Sequence, residues 1–251
     1  MGALHAGHER LIQSARTECD TVAVSIFVNP LQFAPNEDYS RYPRTLPEDL
    51  KICERNGVDV VFAPTVDEMY PSPQITFVEV GRLAEHLCGK FRPGHFRGVA
   101  TVVLKLLNIV QPHRAYFGEK DLQQLTIIRR MVSDFNLPVT IVGVPIVREA
   151  DGLALSSRNK YLNPDERNAA PTLYRALQDA AARIRAGEKD VAKIQSAAVA
   201  LLAASPLIRV EYFEVVDPSE LQPIAVINGP VRIAAAVWIG STRLIDNVSA
   251  G

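Results

Sequence analysis

The pair of histidines near the start of the chain has the residue types and spacing to bind phosphate. His5 and His8 lie three residues apart in the run Met1-Gly-Ala-Leu-His-Ala-Gly-His8, and a glycine directly precedes the second. Apolar residues then recur at helical spacing, which predicts that both histidines lie at or just before a helix start. A helix start offers unpaired N–H groups and a positive dipole end, which favour anions. An ordinary loop with two solvated histidines fits the same short pattern.

Further candidate residues follow the first predicted strand, Thr21 to Val28, whose β-branched and almost wholly apolar run is typical of a buried parallel strand. The chain then turns at Pro30. Open α/β sheets bind ligands beyond the carboxyl ends of their strands, so Asn29 and Gln32 are candidate binding residues. A plain strand-ending turn is the alternative.

The next predicted helix carries a candidate metal ligand. Its start has the capping-box pattern Thr45-Leu-Pro-Glu48, and Asp49 follows directly. The carboxylate of Asp49 suits magnesium, and an acid on the helix surface is the alternative. A second predicted strand at Val58 to Phe62 completes a βαβ unit.

A basic, glycine-rich stretch lies at residues 89–98, after a predicted strand at Thr76 to Val80 and a predicted helix at Arg82 to Cys88. His95 lies in this stretch beside Lys90, Arg92 and Arg97. An anionic ligand and a solvated loop both fit this composition.

Two further loops have residues suited to phosphate. The strand at Arg114 to Phe117 opens onto Gly-Glu-Lys-Asp, where Gly118 permits close backbone approach and Lys120 supplies a point charge. Asp121 could cap the following helix or accept a hydrogen bond from a sugar hydroxyl. Gln124, one turn into that helix, is expected to project toward the same ligand. After a strand at Pro138 to Pro145, the chain reaches Ser156-Ser157-Arg158. Ordinary loops and turns are the alternatives at both places.

After this loop the predicted elements no longer alternate between strand and helix. A long helix is predicted from Asn163 to about Ala186 and a second from Val191 to about Ala204, and strands follow at Ile208 to Val216 and Val231 to Ile239. The predicted fold class is therefore α/β, with a Rossmann-like parallel-sheet domain at residues 1–146 and a smaller C-terminal α+β lid domain at residues 147–251.

The amino-acid composition argues against several classes of function. The 251 residues are 47% hydrophobic and 22% charged, with a formal net charge of −1, which argues against nucleic-acid binding through bulk charge. No apolar run reaches about 18 residues, so no membrane span is expected. Three cysteines without metal-like spacing favour reduced thiols and a cytoplasmic location. Phosphate-binding loops usually follow a strand and none precedes Met1, so we expect either an upstream N-terminus or a missing strand.

Taken together, the motifs resemble the pantothenate synthetase family of pantoate–β-alanine ligases over nearly the whole chain. The resemblance rests on six motifs in the expected order: Met1-Gly-Ala-Leu-His-Ala-Gly-His8, Phe27-Val-Asn-Pro-Leu-Gln-Phe33, Arg41-Tyr-Pro-Arg-Thr45, His95-Phe-Arg-Gly-Val99, Phe117-Gly-Glu-Lys-Asp121 and Leu155-Ser-Ser-Arg-Asn159.

The resemblance implies a nucleotidyl-transferase fold and a two-step reaction. The carboxylate of pantoate would attack Mg-ATP to give pantoyl adenylate, and the amine of β-alanine would then displace AMP. The family also implies a homodimer. Two other functions remain open: an H-x-G-H adenylyltransferase that acts on a phosphorylated acceptor, and a nucleotide-binding module without catalysis.

The resemblance further implies roles for individual residues. His8, as proton donor, together with His5 and Lys120 would be catalytic, and Gln32, Gln124, Asn29 and His95 would bind pantoate or β-alanine. Asp49 would be a magnesium ligand. The residues implied to bind ATP are Met1, Gly2, Ala3, Leu4, His5, Ala6, Gly7, His8, Gly118, Glu119, Lys120, Asp121, Val147, Leu155, Ser156, Ser157 and Arg158.

Overall fold

The computed structural model describes residues 2–35 and 37–251. Met1, which the resemblance assigns to ATP binding, lies outside the described residues. The chain forms two compact units, and the predicted domain division between residues 146 and 147 stays a prediction. The first unit comprises Met1–Gly81, Arg92–Glu119 and Gln124–Val147, and the second comprises Arg82–Phe91, Lys120–Gln123 and Arg148–Gly251.

Helices and strands alternate at first, and three long strands come last. The helices are α1 Ala6–Glu18, α2 Leu46–Arg55, α3 Val66–Met69, α4 Leu87–Phe91, α5 His95–Val110, α6 Leu122–Asp134, α7 Pro164–Ala169, α8 Thr172–Arg185 and α9 Val191–Ala203. The strands are β1 Ala23–Ser25, β2 Val60–Phe62, β3 Arg114–Gly118, β4 Thr140–Val144, β5 Ile208–Val216, β6 Val231–Ile239 and β7 Thr242–Ala250. Short 3₁₀ turns lie at Pro30–Gln32, Arg82–Ala84, Glu119–Asp121 and Ser157–Tyr161.

The first unit is built on parallel strand pairs. Strand β1 pairs with β2, and β3 pairs with β4, both in parallel. Each pair is joined by a connection that contains a helix, α2 in the first and α6 in the second, as parallel strands require. Apolar side chains of α1 and β1 make a buried cluster around Ile12, Val24 and Cys53. The segment that carries His5 and His8, here called the histidine loop, and the turn after β1 are therefore both attached to elements with a buried apolar core.

The second unit is built on an antiparallel sheet in the order β5-β6-β7. Helices α8 and α9 bury a small-residue face, including Ala176, Ala180 and Ala198, in the same core as Ile233 and Val237. Parallel strands followed by this C-terminal sheet confirm the predicted fold class. Strand β7 was not predicted, and a two-residue turn joins it to β6.

The extended segment at residues 76–80 corrects a predicted strand. Instead of pairing with another strand, Val78 N donates to Thr101 Oγ1 on α5 at 3.0 Å. Arg97 of the same helix lies over the Phe77 ring at 3.7 Å and pairs with Glu79 at 2.7 Å. The segment therefore makes its contacts with a helix.

Two predicted helices are interrupted. The segment at residues 82–88 breaks into a 3₁₀ turn and α4, because Leu87 has a left-handed φ of 50°. The long helix predicted to reach Ala186 divides into α7 and α8 at Pro171, which lacks an N–H donor.

Candidate functional site

The histidine loop enters α1 through a capping box made by the histidines themselves. His5 is the N-cap residue, and its Nδ1 accepts the Gly7 N–H at 3.1 Å. Nδ1 of His8 accepts the His5 N–H at 3.3 Å, and the ring centroids lie 4.1 Å apart. Because Nδ1 of each ring is an acceptor, a neutral imidazole at either position carries its proton on Nε2. On a neutral ring, the N–H group therefore lies on the side away from this cap.

Asp49 anchors the residues that lead into this loop. Its side chain is 1% exposed, with Oδ2 accepting the Ala3 N–H at 2.9 Å and Oδ1 accepting the Leu4 N–H at 2.7 Å. Thr45 Oγ1 also donates to Asp49, at 3.1 Å, and does not cap the helix as predicted. The alternative of a surface acid is wrong, because the carboxylate is buried and both of its oxygens are hydrogen-bonded.

Glu9 ties the histidine helix to the helix that carries Asp49. Its carboxylate accepts hydrogen bonds from Arg55 Nη2 at 2.7 Å and from Asn56 Nδ2 at 3.1 Å. These bonds, with that from Arg55 the stronger influence, hold the pKa of Glu9 below its usual value. The ionised carboxylate thus fixes α1 against α2.

Asn29 organises the turn after β1. It is 2% exposed, and its Oδ1 accepts the Tyr70 hydroxyl at 2.8 Å and the Leu31 N–H at 3.3 Å. Its Nδ2 donates to Gly98 O at 3.2 Å and to Gln32 Oε1 at 3.3 Å. These four bonds match the two donors and two acceptor sites of an amide. The structure therefore brings Asn29 and Gln32 together, with Asn29 orienting the Gln32 amide.

His95 holds the main chain of the same turn. Its Nδ1 lies 2.8 Å from Gln32 O, and its Nε2 lies 3.0 Å from Arg92 Nη1. Arg92 in turn makes a bidentate pair with Glu37 at 2.7 and 2.6 Å. Burial alone would raise the pKa of Glu37, but the hydrogen bonds from Arg92 outweigh it and hold this pKa below its usual value. A charged pair thus braces His95 against Gln32.

Gly98 allows helix α5 to approach this turn. A Cβ at Gly98 would lie 2.1 Å from Leu31 O and 2.7 Å from Gln32 N. Such distances are far inside van der Waals contact, so a larger residue here would move the turn or the helix. Gly98 lies in the basic stretch at residues 89–98, but its sequence context predicts no role for the glycine itself.

The turn after β3 carries the next candidates. Gly118 ends β3 opposite Val144, and no described atom lies within 4 Å of a Cβ built there. Glu119 follows it, and Asp121 is exposed directly before α6. Gln124 is half-buried on the first turn of α6. The open space at Gly118 suits the predicted close approach of a ligand.

In the second unit, a cleft brings Lys120 and Ser156 together. It is also lined by Asp246, Tyr174 and several apolar residues. Ser156 caps the 3₁₀ turn that follows it, with its Oγ accepting the Arg158 N–H at 3.2 Å. Of the other candidates in this unit, Ser157 is buried, and Leu155 and Arg158 are half-buried. Val147, the last residue of the first unit, is also half-buried.

Three residues that sequence analysis missed support this cleft. Arg148 pairs with Asp246 at 2.6 and 2.9 Å, and its guanidinium lies 3.8 Å above the Tyr174 ring. Asn247 donates through Nδ2 to Lys120 O at 3.1 Å. The adjacent acid and amide in Leu-Ile-Asp-Asn were the available signal, and without a predicted β7 they were not placed.

The described residues hold no cluster of side chains that could bind a metal ion by themselves. Across residues 2–35 and 37–251, no group of three or more histidine, cysteine or acidic side chains is placed to hold one. The oxygens of Asp49 already accept backbone N–H groups. All three cysteines are unpaired thiols. Within the same ranges, no helix has the length and apolar character needed to cross a membrane.

The sequence matches the model of the family described as pantoate-beta-alanine ligase over residues 1–249. The chain belongs to this family. This confirms the resemblance that the six motifs predicted.

Relatives in the family are similar over nearly all of this chain. A protein named pantothenate synthetase from Heliobacterium modesticaldum is 57% identical over 248 residues, covering 99% of this chain and 88% of the relative. The crystal structure of pantothenate synthetase from Thermus thermophilus has a TM-score of 0.96 and 51% identity, covering 99% of this chain and 90% of that one. A Francisella tularensis pantoate-beta-alanine ligase, described as complexed with beta-gamma ATP and beta-alanine, has a TM-score of 0.81 and 38% identity, covering 99% and 86%.

Proposed function

We propose that this chain joins pantoate to β-alanine in two steps that consume ATP. First, a carboxylate oxygen of pantoate attacks the α-phosphorus of ATP, the bond to pyrophosphate breaks, and pantoyl adenylate forms. Then the amine of β-alanine attacks the acyl carbon, AMP leaves, and the amine loses a proton. Family membership supports the ligase activity. The ligands named for the F. tularensis relative support ATP and β-alanine as substrates.

The histidine capping box is the observation that carries this proposal. It turns Nδ1 of His5 and His8 toward the backbone, so a neutral ring at either position carries its proton on Nε2. Both rings lie at the start of α1, where the helix dipole favours negative charge. Donors fixed in advance stabilise the charge that develops on a phosphate in the transition state. We assign His8 as the principal donor and His5 as its partner.

The turn that contains Lys120 is assigned to the same nucleotide. Lys120 neutralises phosphate charge, while Gly118 and Asp121 meet the ribose side of ATP. Glu119 is assigned to ATP binding without a specific group. Val147 holds adenine through its backbone. Ser156, Ser157 and Arg158 are assigned to the phosphates, and Leu155 before them is assigned to ATP binding without a specific group.

Gln32 and Gln124 are assigned to pantoate, with Gln32 also close to β-alanine. The predicted contacts of Asn29 and His95 with substrate stay predictions, and the bonds of both residues to Gln32 support a role in orienting it. Mg²⁺ is assigned to the substrate as Mg-ATP, because the described residues lack a metal-binding cluster.

The decisive experiment separates the two steps with purified protein. Pyrophosphate release should require pantoate and Mg-ATP, whereas AMP release should also require β-alanine. Pyrophosphate release on a phosphorylated acceptor without AMP would instead support an adenylyltransferase. ATP binding without pantoate-dependent pyrophosphate release would support a module that only binds nucleotide.

A homodimer and a cytoplasmic location are also proposed, on the family resemblance and the three unpaired thiols. Light scattering on the eluting protein tests the first, because a single-chain mass would contradict it. Cell fractionation tests the second.

A further inference from the structure

The last strand carries two adjacent polar residues that are almost fully buried. Asp246 is 3% exposed and Asn247 is 2% exposed. In β7 they pair with Ala235 and Ala234 of β6, so small apolar residues face them across the sheet. Burying polar groups is unfavourable unless they are hydrogen-bonded. Their bonds therefore indicate what the polar pair holds in place.

Asn247 connects the strand to the turn that contains Lys120. Its Nδ2 donates to Lys120 O at 3.1 Å, and its Oδ1 accepts from Arg232 Nη1 at 3.4 Å. The amide is thus held at both ends. Because the contact is to the main-chain carbonyl, it fixes the backbone of Lys120, a residue that lines the cleft.

Asp246 fixes the orientation of this strand. Its carboxylate makes the bidentate pair with Arg148, and its Oδ1 also accepts the Asn247 N–H at 2.8 Å. Arg148 also donates to Gly152 O at 3.1 Å. Breaking a buried pair of this kind leaves an uncompensated charge, so its geometry is strongly enforced.

We propose that Asn247 is a positioning residue for Lys120, held in register by the Asp246–Arg148 pair. The inference rests on the role of Lys120 in the proposed function. Asn247 touches no reacting group and acts by fixing the point from which the lysine ammonium reaches phosphate. A displacement of about 1 Å at a catalytic group is enough to slow a reaction strongly.

A double-mutant cycle measured by pantoate-dependent pyrophosphate release tests the proposal. Asn247→Ser shortens the side chain beyond reach of the carbonyl and should lower kcat about tenfold, with a smaller change in the KM for ATP. Lys120→Met should lower kcat further. In the Lys120→Met background, Asn247→Ser should have no additional effect, because the group it positions is gone.

Each alternative outcome has a distinct meaning. A tenfold loss from Asn247→Ser in both backgrounds would overturn the positioning role. Full activity of Lys120→Met would instead overturn the proposed role of Lys120. Asn247→Asp, which sets a carboxylate against the carbonyl, should be slower than Asn247→Ser, and equal rates would contradict the hydrogen bond. If the charged variant does not fold, the neutral one still decides the cycle.

Ile233→Val on strand β6 is the matched control for stability. Ile233 is fully buried in the same sheet and contacts no proposed ligand-binding residue by hydrogen bond. The variant should lower the melting temperature while pyrophosphate release keeps its rate. If it slows release as much as Asn247→Ser does at an equal loss of stability, the Asn247 effect is general destabilisation and the inference fails.

Discussion

Replacing Asp49 by asparagine tests whether this carboxylate anchors the histidine loop. The carboxylate accepts two buried backbone N–H groups, from Ala3 at 2.9 Å and from Leu4 at 2.7 Å. A hydrogen bond to a charged group contributes about 1.5–3 kcal/mol. Asparagine keeps one acceptor and turns a donor toward the other N–H, so we expect a loss of about 2–4 kcal/mol in the free energy of unfolding.

The loop should respond more strongly than the rest of the fold. Ala3 has a left-handed φ of 49°, which costs a residue with a Cβ about 1–2 kcal/mol. Once the anchor is weakened, the backbone can leave this conformation and carry His5 and His8 with it. The melting temperature should fall by about 5–15 °C. The kcat for pyrophosphate release should also fall, while the Mg²⁺ concentration that gives half-maximal rate stays unchanged.

Glu48→Gln provides the control, because Glu48 is the exposed neighbour on the same turn of α2 and its replacement removes the same charge. It should leave both the melting temperature and the rate unchanged. An unchanged melting temperature for Asp49→Asn, together with a higher Mg²⁺ requirement, would refute the anchor and support a metal ligand.

Four further predictions address other contacts. Gly98→Ala should destabilise the protein and raise the KM for pantoate, whereas Gly118→Ala should leave the melting temperature unchanged; equal melting temperatures would contradict the close approach of α5. Glu9→Gln should cost about 0.5–1 kcal/mol at neutral pH. Because the pKa of Glu9 is lowered in the folded state, its contribution to stability is complete above its ordinary pKa of 4.5 and is lost as the pH falls through the lowered pKa. The thermal melts of parent and variant should therefore converge at pH values below 4.5. His8→Ala should slow pyrophosphate release about 100-fold and weaken ATP binding much less; calorimetric loss of ATP affinity by the same factor would argue against a transition-state role. Gln124→Ala should raise the KM for pantoate with ATP affinity retained, and a selective ATP defect would count against that assignment.

The local sequence pattern correctly predicted the elements that have long apolar runs or strong helix signals. The helix start at His5 and the bounds of β5 and β6 agree with prediction, because each depends on residues close in sequence. The continuous helix predicted across Pro171 was wrong, although the proline itself is a sequence signal for a helix boundary.

The local sequence pattern could not predict contacts between residues that are distant in the chain. The carboxylate of Asp49 bonds backbone groups 45 and 46 residues away, and no rule of spacing links them. The run at residues 76–80 predicted a strand, but its partner is a helix. Strand β7 was missed because its centre places two polar residues where an apolar pattern is expected.

The two partners of the Asn247–Lys120 hydrogen bond are synthesised at different times. The two residues are separated by 127 positions. At about 5–20 residues per second, the ribosome adds the second roughly 6–25 s after the first. The Lys120 turn therefore exists on the nascent chain well before its amide partner is made. Arrest of translation before β7 would yield a polypeptide that contains every residue of the first unit but lacks the amide that holds the Lys120 backbone.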